Sequence, residues 1–125
     1  MKLLLDTHVL LWALGRPQRI RAETRRRIEQ PDHLVFVSVV SAWELEIKRA
    51  LGKLRAPPDL AAQLTRLRFT ELPVRLRHVD ALRDLPPLHR DPFDRMLVAQ
   101  AVADGLTLVT ADDRLRAYDV TTMGA

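Results

Sequence analysis

Residues 1–14 read MKLLLDTHVLLWAL, and this stretch predicts a buried strand followed directly by a helix. Leu3 to Leu5 form a short, continuous apolar run, which is typical of a strand buried on both faces. Asp6 ends the run, and residues 7–14 then read as a first helix that stops at Gly15. The stretch therefore favours an α/β fold in which Asp6 follows the first strand of a buried parallel sheet.

Strands and helices alternate along the rest of the chain. Further strands are predicted at residues 34–37, 69–72, 106–109 and 120–123. The predicted helices span residues 19–29, 60–67, 73–82 and 92–104, with a single helical turn at 112–116. A further helix begins after Ser38, with apolar positions as far as Leu54, and Gly52 ends or loosens it. Such alternation indicates a parallel sheet with helices on both faces. We therefore predict one α/β domain over residues 1–125, built on a parallel sheet of four to five strands.

The helix predicted after residue 38 has the clearest amphipathic pattern. Its apolar residues recur at a period near 3.6 residues, and they are Val40, Trp43, Ile47 and Leu51. This apolar stripe predicts the face that packs against the core. It also makes Trp43 either a core residue or a contact with a second copy of the chain.

Composition narrows the class of protein. The chain has 125 residues, 47% of them apolar, which supplies the core of one domain. It has no cysteine, which excludes a disulfide scaffold, a thiolate metal site and a cysteine nucleophile. Lys and Arg outnumber Asp and Glu by 20 to 16, and because most of the bases are arginine, a polyanionic partner is favoured. No apolar run approaches the roughly 20 residues that span a bilayer, and no signal peptide is recognisable, so we expect a cytoplasmic protein with no membrane partner.

Four acidic residues are predicted beyond the carboxyl ends of the strands, namely Asp6, Glu44, Asp94 and Asp112. Asp6 directly follows the first strand, Glu44 lies two turns into the helix after the second, Asp94 lies in the first turn of the helix that begins at residue 92, and Asp112 comes three residues after the strand at 106–109. Right-handed crossovers bring the carboxyl ends of parallel strands to one edge of the sheet, where α/β proteins form their ligand sites. Each residue alone has an ordinary alternative, since the three aspartates can cap helices and Glu44 can lie on a solvated face. Four such residues at one edge favour a shared site instead.

An acidic cluster of this kind favours a divalent cation. Carboxylates within a few ångströms of one another cannot all stay ionised unless a cation joins them or some bind protons. Oxygen ligands without cysteine favour Mg²⁺ or Mn²⁺. Such an ion lowers the pKa of water and prepares it for in-line attack on a phosphodiester. The acids therefore predict metal-dependent phosphodiester hydrolysis.

Four segments carry a resemblance to a known family. In chain order they are residues 1–12 (MKLLLDTHVLLW), 38–48 (SVVSAWELEIK), 89–97 (HRDPFDRML) and 108–112 (LVTAD). Together they resemble the motif blocks of PIN-domain proteins, specifically of VapC-type toxins. The resemblance implies a single PIN domain over residues 1–125, with a three-layer α/β/α fold and an acidic pocket that binds Mg²⁺ or Mn²⁺. It also implies an endoribonuclease that inhibits translation or growth until an antitoxin binds it.

The same resemblance assigns the site residues. Asp6, Glu44 and Asp94 match the family's three core acids. Asp112 matches the fourth, with the adjacent Asp113 as the alternative. These acids are implied to be both the metal ligands and the catalytic groups. Three hydroxyl residues match positions that orient the acids or their waters, and they are Thr7, Ser41 and Thr110.

The expected partners are an RNA, an antitoxin and a second copy of the chain. The resemblance implies an RNA substrate such as tRNA or rRNA, a cognate VapB-like antitoxin and a homodimer. His89 and Arg90 precede the third acid, and Arg21 and Arg25 share one face of an arginine-rich helix. We predict that these four side chains contact RNA phosphates.

Two other functions are compatible with parts of the pattern. A non-catalytic PIN-fold RNA-binding or scaffold protein would keep the basic surface and would tolerate loss of the acids. A phosphoaspartyl domain, either a receiver or a haloacid-type phosphatase, is disfavoured. Position 8 is a His where the phosphatase has a second Asp, and no lysine follows a late strand as a receiver requires.

Overall fold

A wholly parallel, five-stranded sheet forms the centre of the computed structural model, which describes residues 1–125. The strands follow the order β3-β2-β1-β4-β5 across the sheet. Their bounds are β1 (Lys2–Leu5), β2 (Leu34–Ser38), β3 (Thr70–Leu72), β4 (Thr107–Thr110) and β5 (Thr122–Gly124). The predicted α/β class and the parallel sheet of four to five strands are therefore confirmed, and β1 is the central strand.

Six helices cover the two faces of this sheet. They are α1 (Thr7–Gly15), α2 (Ala22–Glu29), α3 (Val39–Ala50), α4 (Leu60–Arg66), α5 (Leu76–Arg83) and α6 (Pro92–Asp104). Two short 3-10 helices span Pro17–Arg19 and Leu115–Ala117. None of the helices is both long enough and apolar enough to cross a bilayer.

The leucine run of β1 joins the two halves of the core. Leu3, Leu4 and Leu5 are fully buried, and their side chains alternate between the faces of the sheet. Leu3 and Leu5 pack in the cluster that includes Val9 and Leu10 of α1. Leu4 packs in the other cluster, with apolar side chains of α6. The strand predicted from the leucines is therefore confirmed, and its alternation produces the three layers.

Side-chain caps begin the helices that follow strand ends. The Asp6 carboxylate accepts a hydrogen bond from the Val9 N–H at 2.9 Å. The Ser38 hydroxyl accepts one from the Val40 N–H at 3.0 Å. Asp91 caps α6 in the same way, and Gly105, with φ of 66°, ends that helix in the left-handed region. The caps determine where each helix leaves the sheet, and so where the acidic residues lie.

The predicted helix over residues 19–29 is wrong in its first turn. The 3-10 helix Pro17–Arg19 ends before it, and α2 begins three residues later. Between them Ile20 is buried with an extended backbone (φ −84°, ψ 134°). The N–H of Arg21 then donates to the carbonyl of Ala125 at 2.8 Å. Because Ile20 must reach the core beside Ile28, the chain cannot continue as one helix.

Only the first residue of the apolar stripe of α3, Val40, lies in the core, so the prediction that the whole stripe packs there is wrong. Trp43 is 62% exposed, and Leu51, just after the helix, is also exposed. Beside Val40, the buried face carries Ser41 and Glu44 together with Leu45. Hydrogen bonds to α1 stabilise this polar face in the interior, so the helix leaves most of its apolar stripe outside. The helix ends at Ala50, and Gly52, the glycine predicted to end or loosen it, follows with a φ of 69°.

Candidate active site

The carboxyl edge of the sheet brings the predicted acids together. Leu5 of β1 lies beside Val109 of β4 in the parallel register. The N–H of Asp6 continues this pairing by donating to the Val109 carbonyl at 3.0 Å. Glu44 enters the same edge from α3, and Asp94 enters it from the first turn of α6. The topology therefore places the acids at one edge, as the sequence predicted.

Asp6 serves as a helix cap and as a buried acid of this edge. One carboxylate oxygen bonds the Val9 N–H, and the residue is almost fully buried. Burial raises the pKa of Asp6, and the charge of Asp112 adds to that effect. Hydrogen bonds from the Thr110 side chain and from Val9 oppose the rise without cancelling it. Capping and membership of the acidic edge are therefore compatible roles.

Glu44 lies in the interior, where two neighbours orient its carboxylate. The residue is only 5% exposed, so the alternative of a solvated face is wrong. The Thr7 hydroxyl donates to Glu44 Oε1 at 2.7 Å and lies 3.0 Å from the Ser41 hydroxyl. Lys48 Nζ lies 3.0 Å from Glu44 Oε2. Thr7 therefore contacts Glu44 directly, and Ser41 contacts Thr7.

Asp94 and Asp112 both lie close to His89, which the sequence predicted to contact RNA phosphate. His89 Nε2 lies 3.0 Å from Asp94 Oδ2 and 3.9 Å from Asp112 Oδ2. Ligand atoms of these three residues all lie within 4.8 Å of one another, which is close enough to hold one metal ion. Asp113 points away, since its side chain is 90% exposed and pairs with Arg116. The geometry therefore favours Asp112 as the fourth acid.

Repulsion between the acids is concentrated on Asp94. Burial raises the pKa of Asp94 to about 6, and the charges of Asp91, Glu44 and Asp6 contribute to the rise. His89 opposes it. By contrast, a hydrogen bond from the Arg114 side chain lowers the pKa of Asp112. The pKa of Asp94 is therefore raised both by burial and by the charges of the other acids at this edge.

A divalent cation fits this donor set. The potential ligand atoms that converge here are the carboxylate oxygens of Asp94 and Asp112 and a ring nitrogen of His89, with no cysteine sulfur among them. Hard cations such as Mg²⁺ and Mn²⁺ prefer the carboxylate oxygens. Burial, and to a smaller extent the charges of neighbouring acids, raises the pKa values of Asp6 and Asp94, and a bound cation would offset both effects by stabilising the ionised carboxylates. The residues present therefore fit a metal centre of the predicted kind.

The predicted RNA contacts lie in different surroundings. Arg21 reaches the carboxyl edge, where its guanidinium donates to the Gly124 carbonyl at 2.9 Å. Arg116 approaches the same glycine, and the two guanidinium nitrogens lie 2.8 and 2.6 Å from the position that a Cβ on Gly124 would occupy. Arg25 instead donates to the Pro17 carbonyl at 3.3 Å. Arg90 is exposed beside the cap of α6.

His89 is not an exposed phosphate-binding side chain. Its side chain is 8% exposed, and its ring nitrogens face Asp94 and the backbone N–H of Asp91. Sequence analysis missed this bond to an acid. The available signal was the placement of a histidine five residues before Asp94, across a helix cap that turns the chain back on itself.

The fold and the acidic edge are those of a known family. The chain belongs to the PIN domain family, whose sequence profile matches residues 3–120. The chain is similar in sequence to ribonuclease VapC22 of Mycobacterium tuberculosis (strain ATCC 25618 / H37Rv). It is 34% identical over 122 residues, which cover 92% of this chain and 90% of the relative. The family predicted from the four segments is therefore confirmed.

Solved structures share the fold. VapBC2 from Rickettsia felis, crystallised with a DNA fragment from its promoter, matches with a TM-score of 0.76 at 14% identity, over 99% of this chain and 98% of that chain. VapBC-1 from nontypeable Haemophilus influenzae matches with a TM-score of 0.66 at 19% identity, over 99% and 98% of the two chains. At such identities these structures show the common fold.

Replacing Asp94 with Asn should stabilise the metal-free protein. An amide can still accept the His89 hydrogen bond, but it removes the charge that neighbouring acids repel. We expect the melting temperature of Asp94→Asn in chelator at pH 7.5 to rise by about 3 °C or more. Because the folded-state pKa is raised to about 6, the gain should be full above pH 6 and should shrink towards pH 4, where Asp94 is protonated.

Differential scanning calorimetry over this pH range measures the effect. Asp113→Asn, at the exposed neighbouring acid, is the control and should leave the melting temperature unchanged. A lower melting temperature of Asp94→Asn at pH 7.5 would contradict the repulsion among the acids.

Proposed function

We propose that this chain is a VapC-type endoribonuclease that hydrolyses RNA phosphodiester bonds with Mg²⁺ or Mn²⁺. The observation that carries the proposal is the group of carboxylates at the carboxyl edge of a PIN sheet, where burial, together with the charges of neighbouring acids, raises the pKa of Asp94 to about 6. The 34% identity to a protein named as a ribonuclease supports the same activity. A single domain over residues 1–125 carries this activity.

The proposed metal ligands are Asp6, Glu44, Asp94 and Asp112. When bound, the ion supplies Lewis-acid stabilisation of phosphoryl charge and lowers the pKa of water. The chain itself orients the ligands. The Val9 N–H and the Thr110 side chain hold Asp6, and the Thr7 hydroxyl holds Glu44.

Arginines around the edge are proposed to hold the RNA backbone. Arg21 and Arg116 bring two guanidinium groups together at Gly124, beside the ends of β4 and β5. A phosphate between them would relieve the repulsion of like charges and accept several hydrogen bonds. The net charge of +4, despite four acids in the pocket, gives the surrounding surface an attraction for RNA. We propose a structured RNA, such as tRNA or rRNA, as the substrate and the cytoplasm as the place of action.

A VapB-like antitoxin is the proposed regulator. Two of the solved structures that share the fold are VapBC assemblies. A basic side chain of the antitoxin, placed among the acids, would compete with the cation for the same negative charge. Binding of the antitoxin would therefore block both the metal ligands and the RNA.

We further propose that a second copy of the chain covers the exposed apolar surface formed by α3, α5 and the start of α6. A groove of about 570 Å³ lies there, and its eight lining residues are Val39, Val40, Trp43, Val74, Leu82, Pro92, Phe93 and Met96. The exposed side chains of Leu76 and Val79 extend this apolar surface along α5. Large contiguous apolar patches are rare on monomers, and a patch that each copy presents from the same helices suits a two-fold interface.

Substitution of single acids should abolish RNA cleavage. Asp6→Asn and Asp94→Asn remove a proposed ligand while keeping the size of the side chain, so kcat should fall by more than about 100-fold. Excess chelator should have the same effect on the wild-type protein. Fluorescent-substrate cleavage at several Mn²⁺ concentrations measures both effects, with Asp113→Asn as the matched control that keeps full activity.

Cleavage that persists in Asp94→Asn with excess chelator would contradict the proposal. A separate result would favour the non-catalytic RNA-binding or scaffold alternative. That result is growth arrest by the Glu44→Gln protein as strong as arrest by the wild-type protein.

Loss of Arg21 should weaken RNA binding without slowing the chemical step. We expect Arg21→Ala to raise KM about 3- to 10-fold at unchanged kcat, and to lower the salt dependence of binding by about one phosphate contact. Arg66→Ala is the control, because this exposed arginine lies at the end of α4, before the amino end of β3. An equal KM for Arg21→Ala and wild type would contradict the contact.

A charge on α5 should disrupt the proposed dimer. Leu76 is 81% exposed in the single chain, so Leu76→Arg should fold normally but should not pair. Light scattering coupled to gel filtration should show twice the chain mass of 14.3 kDa for the wild type and the single-chain mass for the variant. Leu34→Arg, at an exposed leucine of β2, should remain dimeric. A monomeric wild type, or a monomer that pairs only with an antitoxin, would contradict the proposal.

A further inference from the structure

We propose that His89 is a positioning residue that orients the Asp94 carboxylate, and that it is neither a metal ligand nor a phosphate contact. The inference rests on the proposed function, since it concerns how the metal ligands of that site are held. His89 Nε2 forms a hydrogen bond with Asp94 Oδ2 at 3.0 Å, and the His89 side chain is only 8% exposed.

The backbone determines which ring nitrogen carries the proton. The N–H of Asp91 is directed at His89 Nδ1 across 3.4 Å. A backbone N–H only donates, so Nδ1 must accept, and the proton of a neutral imidazole then lies on Nε2. His89 Nε2 therefore donates to Asp94. In this tautomer Nε2 has no free lone pair for a metal ion, although the nitrogen lies close to two acids.

A second set of bonds holds the backbone of His89. Its N–H donates to the Tyr118 hydroxyl at 2.9 Å, and Tyr118 is buried. Arg95 also donates to that hydroxyl, at 3.1 Å, and to the Pro86 carbonyl at 2.9 Å. The segment before α6 is thus attached to the core and to the helix. His89 has little freedom to turn away from Asp94.

These bonds give Asp94 a single orientation. Asp91 caps α6 by accepting from the N–H groups of Phe93 and Asp94, which locates the backbone of the acid. His89 Nε2 then forms a hydrogen bond with Asp94 Oδ2. The remaining oxygen of Asp94 is left for a cation at the edge shared with Asp6 and Glu44. Partners of this kind commonly determine the orientation and affinity of metal ligands.

Variants at position 89 test the role. Gln carries an amide N–H near the position of His Nε2, whereas Asn is too short to reach Asp94, and Ala has no donor. We expect His89→Ala and His89→Asn to weaken Mn²⁺ and Mg²⁺ binding by the same factor, about 10- to 100-fold. His89→Gln should restore most of the affinity. Calorimetric titration of the full chain without RNA measures these affinities.

Kinetics of the same variants separate positioning from the two other roles. A positioning residue predicts a lower kcat with KM changed by less than about twofold. A larger loss of Mn²⁺ than of Mg²⁺ affinity would show a nitrogen ligand and would overturn the proposal. A raised KM at unchanged kcat would show a phosphate contact and would also overturn it.

The design also separates this inference from the proposed function. If His89→Ala fails to fold, the comparison of His89→Gln with His89→Asn still decides, because both residues are polar amides. Equal affinities in that pair would overturn the inference. A wild-type protein that binds Mn²⁺, loses the affinity in His89→Asn and yet cuts no RNA would support the positioning role and contradict the ribonuclease.

Discussion

Carboxylates that share one buried edge repel one another, and the local structure around that edge is arranged to hold them there. Burial and neighbouring acids raise the pKa of Asp94 to about 6. Hydrogen-bond donors placed by the fold offset part of this repulsion at Asp6 and Glu44. Such an arrangement stores unfavourable free energy in the protein alone, and a divalent cation would release it. The same repulsion therefore connects the fold to the proposed chemistry.

Local sequence predicted the parts of this arrangement that depend on neighbours in the chain. The leucines of β1 and the acid that follows them form a pattern of strand, cap and helix that needs no distant contact. The orientation of α3 could not be predicted in this way. Its apolar stripe suggested the wrong buried face, because the hydroxyl of Thr7 on another helix stabilises Ser41 and Glu44 in the interior.

His89 shows a second limit of sequence reasoning. Its neighbours in sequence suggested a basic surface segment, and its role depends on a backbone N–H and on a tyrosine 29 residues away. Asp6 shows the opposite case. Helix capping and participation in the site were treated as alternatives from sequence, whereas one carboxylate does both, since the cap uses only one of its oxygens.

The central claim is that these acids form one metal centre, and a crystal soaked in Mn²⁺ tests it most directly. Anomalous scattering at the manganese edge locates the ion without reference to activity. The account predicts a peak between the carboxylates of Asp6, Glu44 and Asp94, with Asp112 within reach and with His89 Nε2 still bonded to Asp94. A peak elsewhere, or no peak in a crystal soaked at a saturating Mn²⁺ concentration, would contradict a shared metal centre.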